Sequence, residues 1–160
     1  MNAEQQSDEY TDEEKRNLAV LDEWVRCWNT PGLAGKMVDD LYADTCEVFT
    51  PLQSRCWSLI GESKQDWRDV EIAYAKAIES REMTLLNKIV KGNVIGVEAK
   101  TLITSKTGER FDTGFMAFLW FENGRIVRDH TYQRPPDITT PELMAATQRI
   151  RDKRRLPSRP

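Results

Sequence analysis

The chain has 160 residues, 39% of them hydrophobic and 31% charged, and its 23 Lys and Arg against 26 Asp and Glu leave a net charge of −3. Five Trp, five Phe and four Tyr supply more buriable aromatic surface than a disordered chain carries. No apolar run approaches the roughly 20 residues that span a bilayer, and the charge balance is not the strongly basic one of a general nucleic-acid binder.

One globular domain with a sizeable core is therefore expected. The first residues are acidic and polar and do not read as a secretory signal. Cys27, Cys46 and Cys56 are odd in number, lack CxxC spacing and accompany a single His. That pattern suits reduced core cysteines in a cytoplasmic protein rather than a disulfide framework or a zinc site, and no metal is expected.

In chain order, residues 1–11 read as a disordered acidic tail. A helix is expected from Asp12, with acidic residues in its first turn, where the helix dipole favours them. Leu18, Leu21, Trp24, Val25 and Trp28 recur at spacings of three and four and form one apolar stripe. Asn29-Thr30-Pro31-Gly32 stops this helix, and a shorter one follows with Leu33, Met37, Val38 and Leu41 on one side. Cys46 to Pro51 reads as a short strand and Leu52 to Gly61 as a loop. Ser63, with Asp66 three residues on, resembles a capping box opening a helix that buries Trp67, Val70, Tyr74, Ala77 and Ile78.

The period then changes from helical to alternating. Met83 to Lys91, Val94 to Thr104, Arg110 to Phe121 and Arg125 to Gln133 read as strands rich in β-branched and aromatic residues. The turns fall at Gly92-Asn93, Lys106-Thr107-Gly108 and Asn123-Gly124, the last a strong signal for a two-residue hairpin. Pro135-Pro136 ends the sheet, and Thr140-Pro141 opens a last helix to about Lys153. Helices followed by an antiparallel meander give an α+β fold.

A two-residue loop at Asn123-Gly124 pairs Glu122 with Arg125, Phe118 with Asp129 and Met116 with Thr131. One face then carries Glu98, Lys100, Asp112, Gly114, Met116, Phe118, Trp120, Asp129, Thr131 and Gln133. The other carries Ile95, Val97, Ala99, Thr101, Ile103, Phe111, Phe115, Ala117, Leu119, Ile126, His130 and Tyr132. The mixed face reads as a ligand cavity, apolar with convergent polar groups, and the apolar face needs cover of its own, most simply a second copy of the chain. A bulge would move His130 and Tyr132 to the cavity face.

Several local motifs carry a family resemblance: Leu18 to Trp28, Leu41-Tyr42-Ala43-Asp44, the strand ending at Pro51, Gly61 before a helix, Phe121-Glu122-Asn123-Gly124-Arg125-Ile126, and His130-Thr131-Tyr132. In this order they resemble the nuclear-transport-factor-two-like superfamily, and within it the SnoaL-like branch, over roughly residues 12–133. The resemblance implies a single cone-shaped domain at 12–136, in which a curved, mostly antiparallel sheet wraps around N-terminal helices. A C-terminal helix and basic tail would occupy 137–160. It further implies acid–base chemistry on a hydrophobic small molecule without a cofactor, and a homodimer through the outer sheet face, with neither nucleic acid nor membrane as partner. The general-base Asp of ketosteroid isomerase falls on Thr50 and its oxyanion-hole Asp on Met116, so that constellation is not present here. The Arg-x-Asp pair of limonene-epoxide hydrolase falls on Glu98 and Lys100, and the third member of its triad on Thr131.

The candidate catalytic groups are Asp112, Lys100, Glu98, Asp129 and His130. A carboxylate or the imidazole would move a proton, and Lys100 would stabilise a developing oxyanion. Trp24, Trp28, Phe49, Tyr74, Met116, Phe118, Trp120 and Tyr132 are the candidates to line a site for an aromatic or polycyclic ligand. The expected function is that of a lyase, isomerase or cyclase, with elimination of water or of a C1 fragment as one form of that chemistry. The alternatives are a non-catalytic small-molecule binder or a dimeric interaction module of the same fold. The basic residues from Arg149 to Arg159 read as a solvated helix end and tail.

Overall fold

The computed structural model describes residues 10–50, 58–61, 63–133 and 140–153, the side chains of 58–61 and 150–153 excepted. Helix α1 (Asp12–Asn29) begins at a true capping box. The Thr11 side chain accepts from the Glu14 amide, and the Glu14 carboxylate accepts from the Thr11 amide at 2.8 Å. Thr11 thus belongs to the fold rather than to the expected tail, most of which lies outside the described residues. Helix α2 (Ala34–Leu41) follows the Pro31-Gly32 stop, and α3 (Lys64–Ala77) is capped by Ser63, which accepts from the Asp66 amide. Helix α4 (Pro141–Lys153) opens at the expected Thr140-Pro141 step and packs against α3. No helix among the described residues is long and apolar enough to cross a membrane.

Six strands form one sheet: β1 (Tyr42–Thr50), β2 (Ser58–Gly61), β3 (Ile78–Lys91), β4 (Val94–Ser105), β5 (Arg110–Glu122) and β6 (Arg125–Gln133). Their spatial order is β2-β1-β6-β5-β4-β3, with β1 and β6 parallel and every other neighbouring pair antiparallel. This is the expected α+β class, an open sheet wrapped around helices. Three boundaries differ from the reading of the sequence. Strand β1 starts at Tyr42 rather than Cys46, β2 lies where a loop was expected, and β3 starts at Ile78, directly after α3. Each extension is made by pairing with a distant strand, which local pattern does not encode.

Helix α1 is fixed along the edge strand β3 by side-chain bonds to backbone. Asn29 accepts from the Met83 amide at 2.7 Å and donates to the Met83 carbonyl at 3.0 Å, in the manner of a missing strand neighbour. At the other end of the helix, Glu14 accepts from the Gly92 amide at 2.8 Å. The buried stripe Leu21, Trp24 and Cys27 is thereby held over the sheet.

The face covered by these helices is the nearly apolar one. Ile95, Val97, Ala99, Thr101 and Ile103 of β4 are buried with Phe115, Ala117 and Leu119 of β5, whereas Glu98, Lys100, Asp112, Met116 and Phe118 are exposed. The mixed face expected to hold the cavity is therefore the outer face, and the interior of the cone lies on the other side of the sheet. Both sets of residues had been grouped correctly on β4 and β5. The side on which the helices sit was inverted.

On β6 the grouping itself changes. Asn123 and Gly124 take positive φ of 51° and 71°, as a two-residue hairpin demands, and Glu122 pairs with Arg125 as expected. The register then shifts: Phe121 pairs with Ile126 but Trp120 pairs with Arg128, so Val127 is the extra residue of a bulge. Beyond it Leu119 faces Asp129, Phe118 faces His130 and Met116 faces Tyr132. Asp129, Thr131 and Gln133 turn to the interior, and His130 and Tyr132 to the outer face.

Candidate functional site

Three elements converge on a cavity inside the cone. Helix α3 contributes Trp67, Glu71 and Tyr74, at intervals of four and three that place them on one helical face. Strand β6 contributes Asp129, Thr131 and Gln133, alternate residues that the Val127 bulge turns to the interior. Helix α1 contributes Trp24 and Trp28, and Thr50, Met83 and Phe115 complete the wall. About 480 Å³ of this space is unfilled by atoms, part of it open to solvent. Its wall is mostly apolar with a few polar groups that converge, the make-up of a small-molecule site.

Asp129 is the chemical centre of this wall. Its residue is 2% exposed, and both carboxylate oxygens accept hydrogen bonds, Oδ2 from Tyr42 Oη at 2.7 Å and Oδ1 from Thr131 Oγ1 at 2.9 Å. The Tyr42 hydroxyl in turn accepts from Trp24 Nε1 at 3.0 Å, so the carboxylate terminates a relay of three side chains. Burial outweighs the two hydrogen bonds and pushes the Asp129 carboxyl up to about 6. Burial and the neighbouring carboxylate hold the Tyr42 hydroxyl well above its ordinary range, so it remains a donor.

Glu71 is the second buried carboxylate. Arg81 of β3 reaches it with Nη1 at 2.9 and 3.3 Å from its two oxygens, the side chains being 7% and 4% exposed respectively. Arg81 Nε also donates to the Trp28 carbonyl at 2.8 Å, and the guanidinium lies over the Trp28 ring, 4.5 Å from its centroid. Two further residues of this wall each carry a buried polar atom with no hydrogen-bond partner among the described residues, Trp67 at Nε1 and Tyr74 at Oη. Burial pushes the Tyr74 phenol above its ordinary range, which keeps it protonated.

Chemically, the wall offers a base stronger than an ordinary carboxylate yet ionised at neutral pH, and N–H and O–H donors that could meet an oxygen of a bound molecule. Among the described residues no group of His, Cys, Asp or Glu is arranged to hold a metal ion.

Of the sequence candidates, Asp129, Trp24, Trp28 and Tyr74 meet at this cavity. Glu98, Lys100 and Asp112 do not. They stand on the outer face, where Lys100 pairs with Asp112 at 3.0 Å with side chains 55% and 62% exposed, and Glu98 accepts from Asn87 at 2.6 Å. His130 lies on the same outer face, its Nε2 2.9 Å from Glu47 Oε1 and its ring against Phe49 and Trp120. Met116, Phe118 and Tyr132 are exposed there. The Met116 position carried over from ketosteroid isomerase thus points outward, whereas the Thr50 and Thr131 positions carried over from the two families do line the cavity. Glu71, Trp67, Met83, Phe115 and Gln133 were not singled out as site residues. The available signal was Glu71, a carboxylate between Trp67 and Tyr74 on the buried side of α3.

No family model matches the chain, and no curated protein matches it. Solved structures do. A SnoaL-like protein from Jannaschia sp. CCS1, provisionally assigned as a polyketide cyclase, superposes with a TM-score of 0.67 at 10% identity, over 78% of this chain and 90% of its own. A limonene-epoxide-hydrolase-like epoxide hydrolase from M. tuberculosis gives 0.63 at 12% identity, over 86% and 92%. A protein from Catenulispora acidiphila with a ketosteroid isomerase-like fold, bound to trimethylamine, gives 0.61 at 13% identity, over 81% and 92%. With the helices, the sheet order and the interior cavity already in place, these superpositions show that the chain has the nuclear-transport-factor-two-like fold.

Proposed function

We propose that the protein is a cofactor-independent acid–base enzyme, a lyase, isomerase or cyclase, acting in the cytoplasm on an apolar aromatic or polycyclic small molecule held in the cone. The observation that carries this reading is Asp129: a carboxylate 2% exposed, on the wall of an apolar cavity, with its proton affinity raised and its orientation fixed by Tyr42 and Thr131. A buried carboxylate costs stability, and a fold keeps one in a cavity wall where it moves protons. Of the proton-moving candidates Asp112, Glu98, Asp129 and His130, Asp129 takes the role of base, with Tyr42 and Thr131 orienting it, and Lys100, paired with Asp112 on the outer face, takes no part. The superposed epoxide hydrolase and cyclase share the fold and lend the chemistry class support by analogy.

The test is proton exchange at carbon. Incubated in D2O with a panel of hydrophobic cyclic and aryl ketones, the protein should wash deuterium into α-positions of at least one member. Asp129→Asn should slow that exchange by roughly a hundredfold or more, the usual contribution of a positioned general base. Binding of a panel member without exchange would replace the enzyme by a binding protein, and exchange unaffected by the substitution would remove Asp129 from the role.

The outer face fits self-association, as homodimers of this fold do. Ile89 is 76% exposed, and Leu86, Met116 and Tyr132 are each about half exposed, with Phe118 beside them. A patch of that kind on one sheet face marks an interface. Sedimentation should give a dimer, and Met116→Glu with Phe118→Glu should weaken it about a hundredfold or more, because carboxylates would be buried unpaired. A monomeric wild type would exclude this interface.

A further inference from the structure

The proposed chemistry leaves two polar atoms of the cavity unused. Trp67 Nε1 and Tyr74 Oη are fully buried, have no hydrogen-bond partner among the described residues, and belong to residues that are each 7% exposed. A buried donor without a partner is costly, so native structures rarely keep one, and two on residues that line the same cavity are a pattern. Neither is needed to position Asp129, whose hydrogen bonds come from Tyr42 and Thr131.

Their placement separates them. Trp67 and Tyr74 lie on one face of α3 seven residues apart, roughly 10 Å by helical rise. The Trp67 ring packs against Tyr42, ring centroids 6.3 Å apart, and Tyr42 holds Asp129. Tyr74 follows Glu71 by three residues on the same helix, and the Glu71 carboxylate is paired with Arg81. Trp24, Trp28 and Phe115 add an aromatic wall to the same cavity.

We infer that Trp67 Nε1–H and Tyr74 Oη–H are the ligand-recognising donors of this cavity, and that the ligand is a flat apolar molecule bearing oxygen acceptors at both ends. This rests on the proposed acid–base reading and deepens it. The oxygen met by Trp67 is the one at the reacting end, near Asp129, and the oxygen met by Tyr74 anchors the molecule. A substrate with a single oxygen binds more weakly, because one donor is then left buried and unpaired.

Calorimetric titration with naphthalene, a naphthol, and a naphthalenediol hydroxylated on opposite rings tests this. For the wild-type protein, each added oxygen should tighten binding about tenfold. Tyr74→Phe should reduce the diol to the affinity of the naphthol, and Trp67→Phe should weaken both hydroxylated probes about tenfold. Naphthalene should bind all three proteins alike, showing that the cavity is intact in each. Equal binding of the three probes, wild-type affinity for the diol in either variant, or no binding of any probe would overturn the inference. The same titration on Asp129→Asn separates it from the reading beneath it. Discrimination by oxygen number that survives where no exchange is found removes the proton transfer and keeps the recognition. Exchange that depends on Asp129 but ignores Trp67 and Tyr74 does the reverse.

Discussion

Replacing Asp129 by Asn should make the protein more stable at pH 8 and leave its stability almost unchanged near pH 4. The Asp129 carboxyl is pushed up to about 6 in the folded protein, against about 3.9 for an unfolded chain. The folded state therefore holds this proton more tightly than the unfolded state does. Below the unfolded value both states are protonated and the carboxyl costs nothing. As the pH rises through about 4 to 6, the unfolded chain ionises first and the folded state loses ground. Above about 6 the full penalty is present, about two pH units' worth, or on the order of 3 kcal/mol. Asn carries no charge and keeps an acceptor for Tyr42, while the Thr131 hydroxyl can turn to accept from the new amide. Thermal denaturation at pH 8 should show the variant melting roughly 6–12 °C higher, at about 2–4 °C per kcal/mol for a chain of this size. A melting difference that is the same at pH 4 and pH 8 would show that the fold holds the Asp129 proton no more tightly than the unfolded chain does.

Such a result joined to lost proton exchange would be the signature of a site that trades stability for chemistry. The alternative placement of the base predicts no such gain in stability. An exposed pair such as Lys100 and Asp112, with side chains 55% and 62% exposed, is worth little in stability at any pH, because water screens both charges.

The difference between these two placements shows what the sequence does and does not carry. Helix starts and stops were legible because they are local: the Pro31-Gly32 stop, the Ser63 cap and the Asn123-Gly124 hairpin each rest on a few neighbouring residues. The alternation along β4 and β5 was legible for the same reason, and every inward residue was grouped with its true companions. Two facts were not local. One is the Val127 bulge, a single extra residue that transfers Asp129 from one face to the other and exchanges it with His130. Nothing in the run Arg125 to Gln133 marks where the strand bulges. The other is the side on which the helices lie. A face mixing Met116 and Phe118 with Glu98 and Lys100 resembles a ligand cavity in composition, yet here it is the exposed one. The apolar face, given over to a partner chain in the sequence reading, is filled by α1, α2 and α3, and the polar groups of the site come from those helices and from the end of β6. Trp24, Trp28 and Tyr74 line the interior cavity because a large aromatic on an inward helical stripe meets it whichever face of the sheet is inside.

Removing Arg81 should be the most damaging single change to the fold that leaves the hydrophobic core untouched. Arg81→Met takes away the only cation bonded to Glu71 among the described residues, and with it the hydrogen bond to the Trp28 carbonyl and the contact with the Trp28 ring. A buried pair broken on one side leaves an uncompensated carboxylate, a loss of about 3–5 kcal/mol. Urea denaturation should show it as a fall in midpoint. Adding Glu71→Leu should restore most of that stability, because a buried ion pair exchanged for apolar side chains of similar volume is commonly neutral or better. The rescued double variant is the informative one. If the pair exists to hold α1, α3 and β3 together, the restored fold should bind the naphthalenediol as the wild type does. If it exists to keep the cavity wall polar and the Tyr74 hydroxyl in place, affinity for the diol should stay about tenfold low while naphthalene binds normally. The second outcome is the one expected. A fold in need only of stability would have filled that position with apolar side chains, and this one instead keeps a carboxylate, a guanidinium and an unpaired phenol around the cavity. A loss below about 1 kcal/mol in Arg81→Met would mean that water or a shifted side chain already serves Glu71, and the pair would then have no claim on either role.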